Sequence, residues 1–333
     1  MTLPVRHIGP FTVSAIALGC MNLSHAYGPP VSDEAGTALL NRALDLGVTM
    51  LDTAALYGGG ANERLIGKAV MHRRSEFTLA SKCVLDMYDG QRGLDGSPAA
   101  ITKTLDAALD RLGTDHIDLY YLHRLDRRVP VEDSVGALVR ANEAGKIGMI
   151  GLSEMSAATI RRAHAVHPIA ALQTEYSPMS RNPEVAVLEA TRELGIAFVA
   201  FSPVGRGLLA GSIRDDLYGP GDIRPHFPRY VGEPLRQNLA LVDRFDAIAR
   251  DAGLTPGQLA IGWGLAKAPH IISLPGTTKI AHLEEDVAAR PITDDLVAAV
   301  DSIFPPNALH GPRYNRAMQA QIDTELLPDE ELA

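Results

Sequence analysis

Ile196-Ala197-Phe198-Val199-Ala200-Phe201 is apolar at every position, with Gly195 before it and Ser202-Pro203 after it. A strand with one wet face alternates apolar and polar residues. A strand that is apolar throughout is covered on both sides, as in a parallel sheet with helices packed against it. Seven more short apolar runs read as strands: Ala15–Leu18, Val48–Leu51, Phe77–Ser81, Ile117–Leu122, Ile147–Gly151, Ala170–Thr174 and Ile271–Leu274. Most of them are likewise continuously apolar.

Amphipathic stretches separate the runs. One opens at Ser32-Asp33-Glu34 and ends near Gly47; a second opens at Ser97-Pro98 and ends at Gly113. A third runs from Val131-Glu132-Asp133 to Gly145, and a fourth from Asn182-Pro183-Glu184 to Gly195. Proline in the first turn and glycine past the last is the asymmetry expected of helices. Eight strand–helix units in order predict an α/β fold of the (β/α)8 TIM-barrel type, with residues 1–333 as one barrel domain. Val5–Ile8 and Phe11–Val13, around Gly9-Pro10, predict an N-terminal β-hairpin capping the barrel bottom. Ala210–Glu233 is rich in Gly and Pro and reads as a functional loop, and the tail beyond Pro305 is irregular. Extra loops or helices are therefore expected at the C-terminal face.

The net charge of −9 argues against nucleic acid or an anionic membrane as the main partner, while leaving room for a local basic pocket. Cys20 and Cys83 make neither a metal-ligand spacing nor a disulfide framework, which fits a reducing cytoplasm. The N-terminal sequence reads as neither a signal peptide nor a transmembrane segment, and the scattered histidines form no metal motif.

Ionisable residues collect at consecutive strand ends. Asp52 follows the second strand with Tyr57 one turn on, Lys82 follows the third, and His123 follows the fourth. Neighbouring strands lie about 4.8 Å apart, so these side chains can meet. Taken singly, each has a bland structural reading as a cap, a solvated cation, a packing ring or a rim residue. As a set they make a general acid: an ammonium favours the phenolate of tyrosine, a carboxylate offsets the ammonium, and a neutral imidazole donates to a carbonyl. Such a group suits hydride addition to an aldehyde or ketone.

Asp52-Thr53-Ala54-Ala55-Leu56-Tyr57-Gly58 resembles the D-T-A-x-x-Y-G signature of aldo-keto reductases, and Asn62-Glu63-Arg64-Leu65-Ile66-Gly67 resembles that family's next motif. The resemblance extends from Leu18 to Glu285 and suggests a bacterial, NAD(P)H-dependent member. It implies Tyr57 as acid/base, Lys82 as the modulator of its pKa, Asp52 as the partner of Lys82, and His123 as the residue that orients the carbonyl. For the cofactor it implies Ser153 and Gln173 on the nicotinamide carboxamide and Phe201 under the ring. It also implies a pyrophosphate loop, Ser202-Pro203-Val204-Gly205-Arg206-Gly207-Leu208-Leu209-Ala210-Gly211. Within it Ser202, Pro203, Gly205, Gly207, Leu208 and Gly211 are the expected contacts.

After the eighth strand, Gly276, Thr277, Thr278 and Lys279, with Glu285 and Asp286, stand where the family binds the adenosine 2′-phosphate and adenine. Three positions depart from the family's usual residues: Glu154 replaces Asn, Thr278 replaces Arg, and Asp286 replaces Asn. The departures at Thr278 and Asp286 predict a modest preference for NADPH, with NADH also used; Lys279 and Arg290 are the cations available to the phosphate. Substrate loops are expected at Met21–Pro30, Val84–Ser97, Leu125–Val131, Ala210–Glu233 and the tail, with Met21, Tyr27, Met87 and Tyr88 as lining. The expected partner is a small carbonyl or alcohol substrate, and the expected assembly a monomer or small homo-oligomer. Two other readings remain: a cofactor-binding regulatory subunit of the same fold, and a Schiff-base barrel enzyme using Lys82 as nucleophile.

Overall fold

A computed structural model describes residues 3–88 and 90–333. The described chain opens with an antiparallel hairpin, β1 (Val5–Ile8) and β2 (Phe11–Ser14), as the sequence predicts. Three parallel strands follow, β3 (Leu18–Gly19), β4 (Met50–Asp52) and β5 (Thr78–Cys83). A second hairpin, β6 (Leu85–Tyr88) and β7 (Gln91–Leu94), interrupts the series within a stretch read from sequence as a loop. Five more parallel strands complete it: β8 (Ile117–Leu122), β9 (Ile147–Ser153), β10 (Ala171–Glu175), β11 (Ala197–Phe201) and β12 (Ile271–Leu274).

The eight parallel strands lie in chain order. Ala17 N–H donates to Ser273 O at 2.9 Å and Ser273 N–H to Ala15 O at 2.9 Å, which joins the first strand to the last and makes a TIM barrel. The interior is filled by Met50, Ala80, Leu119, Tyr121, Met149, Ala171, Val199 and Ile272 from the strands, meeting Ile8 and Val13 from the hairpin. The hairpin thus plugs the N-terminal end, and the C-terminal ends of the strands are left for a site.

Helices α1 (Asp33–Asp45), α2 (Ala61–Val70), α3 (Pro98–Leu112), α4 (Val131–Glu143), α5 (Ala157–Val166) and α6 (Val187–Leu194) cover the outside. The cap signals act as read at α1 and α3: Ser32 Oγ accepts from Ala35 N–H, Ser97 Oγ from Ala100 N–H, and Gly113 stops α3 at φ 68°. At Asn182-Pro183-Glu184 the expected helix start is instead a single 3₁₀ turn, and α6 begins at Val187. The seventh strand is followed by two helices rather than one, α7 (Gly232–Asp251) and α8 (Pro256–Lys267). Since α7 starts at Gly232, the irregular insert ends at Val231, two residues short of the expected Glu233. Helices α9 (Ile280–Val287), α10 (Asp294–Ile303) and the short α11 (Arg316–Gln319) follow. Among the described residues no helix is long and apolar enough to cross a membrane.

Gly67 lets α2 lie close on the end of α3: a Cβ there would sit 2.7 Å from Leu112 O and 2.9 Å from Arg111 O. Backbone cannot step aside as a flexible side chain does, so Gly67→Ala is expected to cost about 1–3 kcal/mol through overpacking. Urea unfolding measures this, and a loss below about 0.5 kcal/mol, the usual surface range, would show the helices free to separate.

Candidate active site

The site is built from the loop that carries Tyr57. Between β4 and α2 the chain passes through Gly58, Gly59 and Gly60 at φ 59°, 58° and 84°, three consecutive left-handed residues that only glycine adopts without strain. Two buried residues behind this loop fasten it. Asn62 accepts from Thr53 Oγ1 at 2.7 Å and donates to Cys20 O at 2.8 Å and Ser24 Oγ at 2.9 Å. Glu63 accepts from Ser81 Oγ at 2.6 Å on β5 and from Arg111 Nε at 2.6 Å on α3.

Under Tyr57 lies the ion pair of Lys82 and Asp52, both fully buried. The ammonium donates to Asp52 Oδ1, to Thr53 O at 2.8 Å and to Tyr57 Oη at 3.3 Å. Gln173 Nε2 donates to the other oxygen of Asp52 at 2.8 Å. The four residues read from strand ends therefore come together, with the His123 ring edge-on to the Tyr57 ring at 6.0 Å.

Burial drives the ionisation of this group. It pushes the Tyr57 phenol above its ordinary value, and Lys82 only partly offsets that. The ammonium acts in the direction expected from sequence, but the net direction is the opposite, and Tyr57 holds its proton. Lys82 is kept charged: burial works against the ammonium, but Asp52 and Tyr57 outweigh it. His123 is held well below its ordinary value by burial and by Arg124, Lys82 and Arg92, so its imidazole is neutral. Its Nδ1 is buried with no partner among the described residues. A lone pair is cheaper to leave unpaired than an N–H, which assigns the proton to Nε2.

Above the tetrad lies a cavity of about 610 Å³ that runs from β6–β7 to α9. Asp52, Tyr57, His123, Ser153, Gln173, Phe201, Ser202, Pro203 and Gly207 line it, as do Gly276, Thr277, Thr278, Lys279, Glu285 and Asp286. Gly205 and Gly211 do not line it; they turn the loop after β11 at φ 54° and 70°, and Leu208 packs into the core. At Gly207, φ 96°, a Cβ would meet Ser212 Oγ at 2.8 Å. Arg290 caps the end of α9, donating to Val287 O and Ala289 O, and is not among the lining residues.

The substrate side differs from expectation. Met21 and Tyr27 line the cavity, but Met87 is exposed and Tyr88 donates to Val84 O. Leu85 and Arg92 line it from that hairpin instead, and no residue of Leu125–Val131 does. The tail contributes Tyr314, Met318, Gln321 and Ile322. Glu154, buried at φ 52°, accepts from Thr324 Oγ1 at 2.8 Å and from Glu175 N–H at 2.9 Å, and so ties the tail to the barrel. That role is not legible in the residue pattern, because Thr324 lies 170 residues away. Arg206 was hidden at a variable position of its motif; it pairs with Glu175 at 3.1 Å and donates to Tyr27 Oη at 3.1 Å.

A barrel with this tetrad and cavity defines a class of carbonyl oxidoreductases, and comparison with known proteins agrees. The model of the aldo/keto reductase family matches residues 15–304. The chain belongs to the aldo/keto reductase family. It is 43% identical over 340 residues to an NADP(+) aldo-keto reductase of Schizosaccharomyces pombe, covering 98% of this chain and 100% of that one. It is 40% identical over 341 residues to an aldo-keto reductase of Strobilurus tenacellus, with the same coverage. Both relatives are fungal, so they do not carry the bacterial placement read from sequence. Among solved structures, a glycerol dehydrogenase of Gluconobacter oxydans superposes with a TM-score of 0.81 at 26% identity, covering 98% of both chains. An aldo-keto reductase of Bacillus halodurans, in its holo form, does so at 0.76 and 25%, covering 92% of this chain and 98% of that one.

Asp286 is buried beside Glu285, and the two effects push its carboxyl up to about 8. The negative charge expected there from sequence is therefore mostly absent at neutral pH. A carboxyl whose folded pKa is raised keeps a proton that the unfolded chain releases from about pH 4 upward. Stability is thus undiminished below about pH 4, falls as pH rises, and levels off above about 8. Asp286→Asn cannot ionise, so its stability gain over the wild type should be near zero at pH 4 and grow to a few kcal/mol by pH 8. Unfolding of the cofactor-free protein at several pH values measures the gain, and a pH-independent difference would contradict it.

Proposed function

We propose that the protein is an NADPH-dependent carbonyl reductase in which Tyr57 is the general acid. The observation that carries this reading is the contact of Tyr57 Oη, at the cavity wall, with an ammonium 3.3 Å behind it. The fit to a dinucleotide rests on the loop after β11, where Gly205 and Gly207 keep the backbone open to phosphate oxygens. Thr277, Thr278 and Lys279 at the far end offer hydroxyls and a cation to the adenosine phosphate. Ser153 and Gln173 would hold the carboxamide against Phe201. When bound, the cofactor supplies the hydride that adds to the carbonyl carbon.

The chain's own residues supply the rest. The neutral His123 donates from Nε2 to the carbonyl oxygen and sets its angle. Tyr57 gives that oxygen its proton as negative charge develops there. Lys82 stabilises the phenolate left behind, and Asp52 keeps Lys82 charged in a dry site. Because burial holds the proton on Tyr57, the phenol is in the form that can donate at neutral pH. A Schiff base on Lys82 is disfavoured, since its nitrogen is fully buried and committed to three acceptors.

Tyr57→Phe keeps the ring and removes the proton donor. Carbonyl reduction is expected to fall about 10²–10⁴-fold with NADPH affinity nearly unchanged. Single-turnover measurement with any accepted aldehyde checks this, and retention of more than about a tenth of the rate refutes the assignment.

The S. pombe relative's NADP(+) supports NADPH as the cofactor here. Without Arg at position 278 the preference over NADH should be about tenfold, or about 1.4 kcal/mol. Thr278→Arg, which adds a bidentate donor for a phosphate, should widen it several-fold. The ratio of kcat/KM for the two cofactors reads both. A wild-type ratio above roughly a thousand, about 4 kcal/mol, would mean that another cation grips the phosphate.

A further inference from the structure

The cavity is lined by four arginines, and they divide into two kinds. Arg206 and Arg224, beside the loop after β11, are paired with Glu175 at 3.1 Å and Asp222 at 2.5 Å. Arg124 and Arg92, at the end that holds Tyr57 and His123, have no carboxylate within salt-bridge reach among the described residues. Arg124 is half-buried and uses only Nη1, donating to His123 O at 2.6 Å and Ser153 Oγ at 3.2 Å. That bond fixes the guanidinium against the tetrad and leaves its other nitrogens for the cavity. Arg92 reaches the cavity from β7, on the rim.

The remaining charges do not balance these two. Of the lining acids, Asp52 is neutralised by Lys82, while Glu285 and Asp286 belong to α9 at the opposite end. The proposed cofactor brings its phosphates to the loop after β11 and to Thr277–Lys279, away from Arg124 and Arg92. Among the described residues the reacting end thus carries two positive charges without a carboxylate partner, Arg124 half-buried and Arg92 exposed at the mouth, an arrangement that favours an anionic ligand. The Arg124 charge is felt at Arg92, whose pKa is lowered by partial burial and by that neighbouring guanidinium.

We propose that the substrate is a carbonyl compound bearing a carboxylate, which Arg124 and Arg92 bind while the carbonyl oxygen meets Tyr57 and His123. This rests on the reductase reading and deepens it. The carboxylate takes no part in the bond changes: the carbonyl carbon gains the hydride from NADPH and its oxygen gains the Tyr57 proton. Leu56, Leu85 and Tyr314 line the same cavity and suit a hydrocarbon or aromatic spacer between the two groups.

The test compares 4-carboxybenzaldehyde with 4-methylbenzaldehyde, using NADPH and the full chain at low and high salt. The acid should be favoured at least about tenfold in kcat/KM, mainly through KM, and less so at high salt. Arg92→Gln and Arg124→Gln should each reduce that ratio several-fold. Arg92 makes no hydrogen bond to a cofactor-side residue among those described, so its variant separates substrate binding from any disturbance of Ser153. A wild-type ratio near or below one, or a ratio unmoved by both substitutions, overturns the proposal. If neither aldehyde is reduced, the reductase reading fails, and titration of benzoate and benzamide into the NADPH-loaded protein decides the anion site. Tighter benzoate supports it, and equal binding overturns it.

Discussion

Lys82 is a fully buried ammonium, and burying one is tolerable only where its charge and donors are met. The surrounding structure supplies what it needs. Asp52 supplies the charge, Thr53 O and Tyr57 Oη take the other donors, and Gln173 satisfies the far oxygen of the carboxylate. These partners come from β4, the loop after it and β10, on different sides of the barrel mouth. Strand register makes the meeting possible: Asp52 stands opposite Ala80, so Lys82 is two residues further on, on the same face. A slip of one residue would turn Lys82 outward and leave Asp52 unpaired in the interior.

From that pair outward, the site divides into a rigid half and an added half. Strand ends, the glycine turn at 58–60 and the buried Asn62 and Glu63 fix the reacting groups. In the proposed reading the substrate wall comes largely from segments outside the strand–helix repeat, namely the loop with Met21 and Tyr27, the β6–β7 hairpin and the tail, joined by Leu56 and Arg124 near the strand ends. Chemistry is thus tied to the barrel, while substrate choice sits on parts that can change without disturbing it.

The sequence made the barrel legible because its strands are apolar throughout, as Ile196–Phe201 shows, and because Ser-Pro and Gly punctuate the helices. The tetrad was legible for a related reason: a strand end fixes where a side chain points, so Asp52, Lys82 and His123 could be brought together from position alone. What escaped was set by tertiary environment. The upward shift of Tyr57 comes from burial, which competes with the charge of Lys82 and is invisible in the residue pattern. Asp286 reads as an anion on paper and as a mostly protonated acid once enclosed beside Glu285. The second hairpin was missed because Asp86, Gln91, Arg92 and Gly93 give β6–β7 little strand character. Glu154 looked like an odd substitution until the tail met it.

That contact orders events in time. Glu154 and Thr324 are separated by 170 residues, and a ribosome adding about 5–20 residues per second takes roughly ten to thirty-five seconds to make that stretch. Late in that interval, once β12 is complete at Leu274, a nascent chain carries all eight strands and every tetrad residue and still lacks Tyr314, Met318, Gln321 and Ile322, one wall of its pocket. This segment therefore acts as a closing piece: until it is made, the pocket has the Met21–Tyr27 loop and the β6–β7 hairpin on one side and no wall facing them.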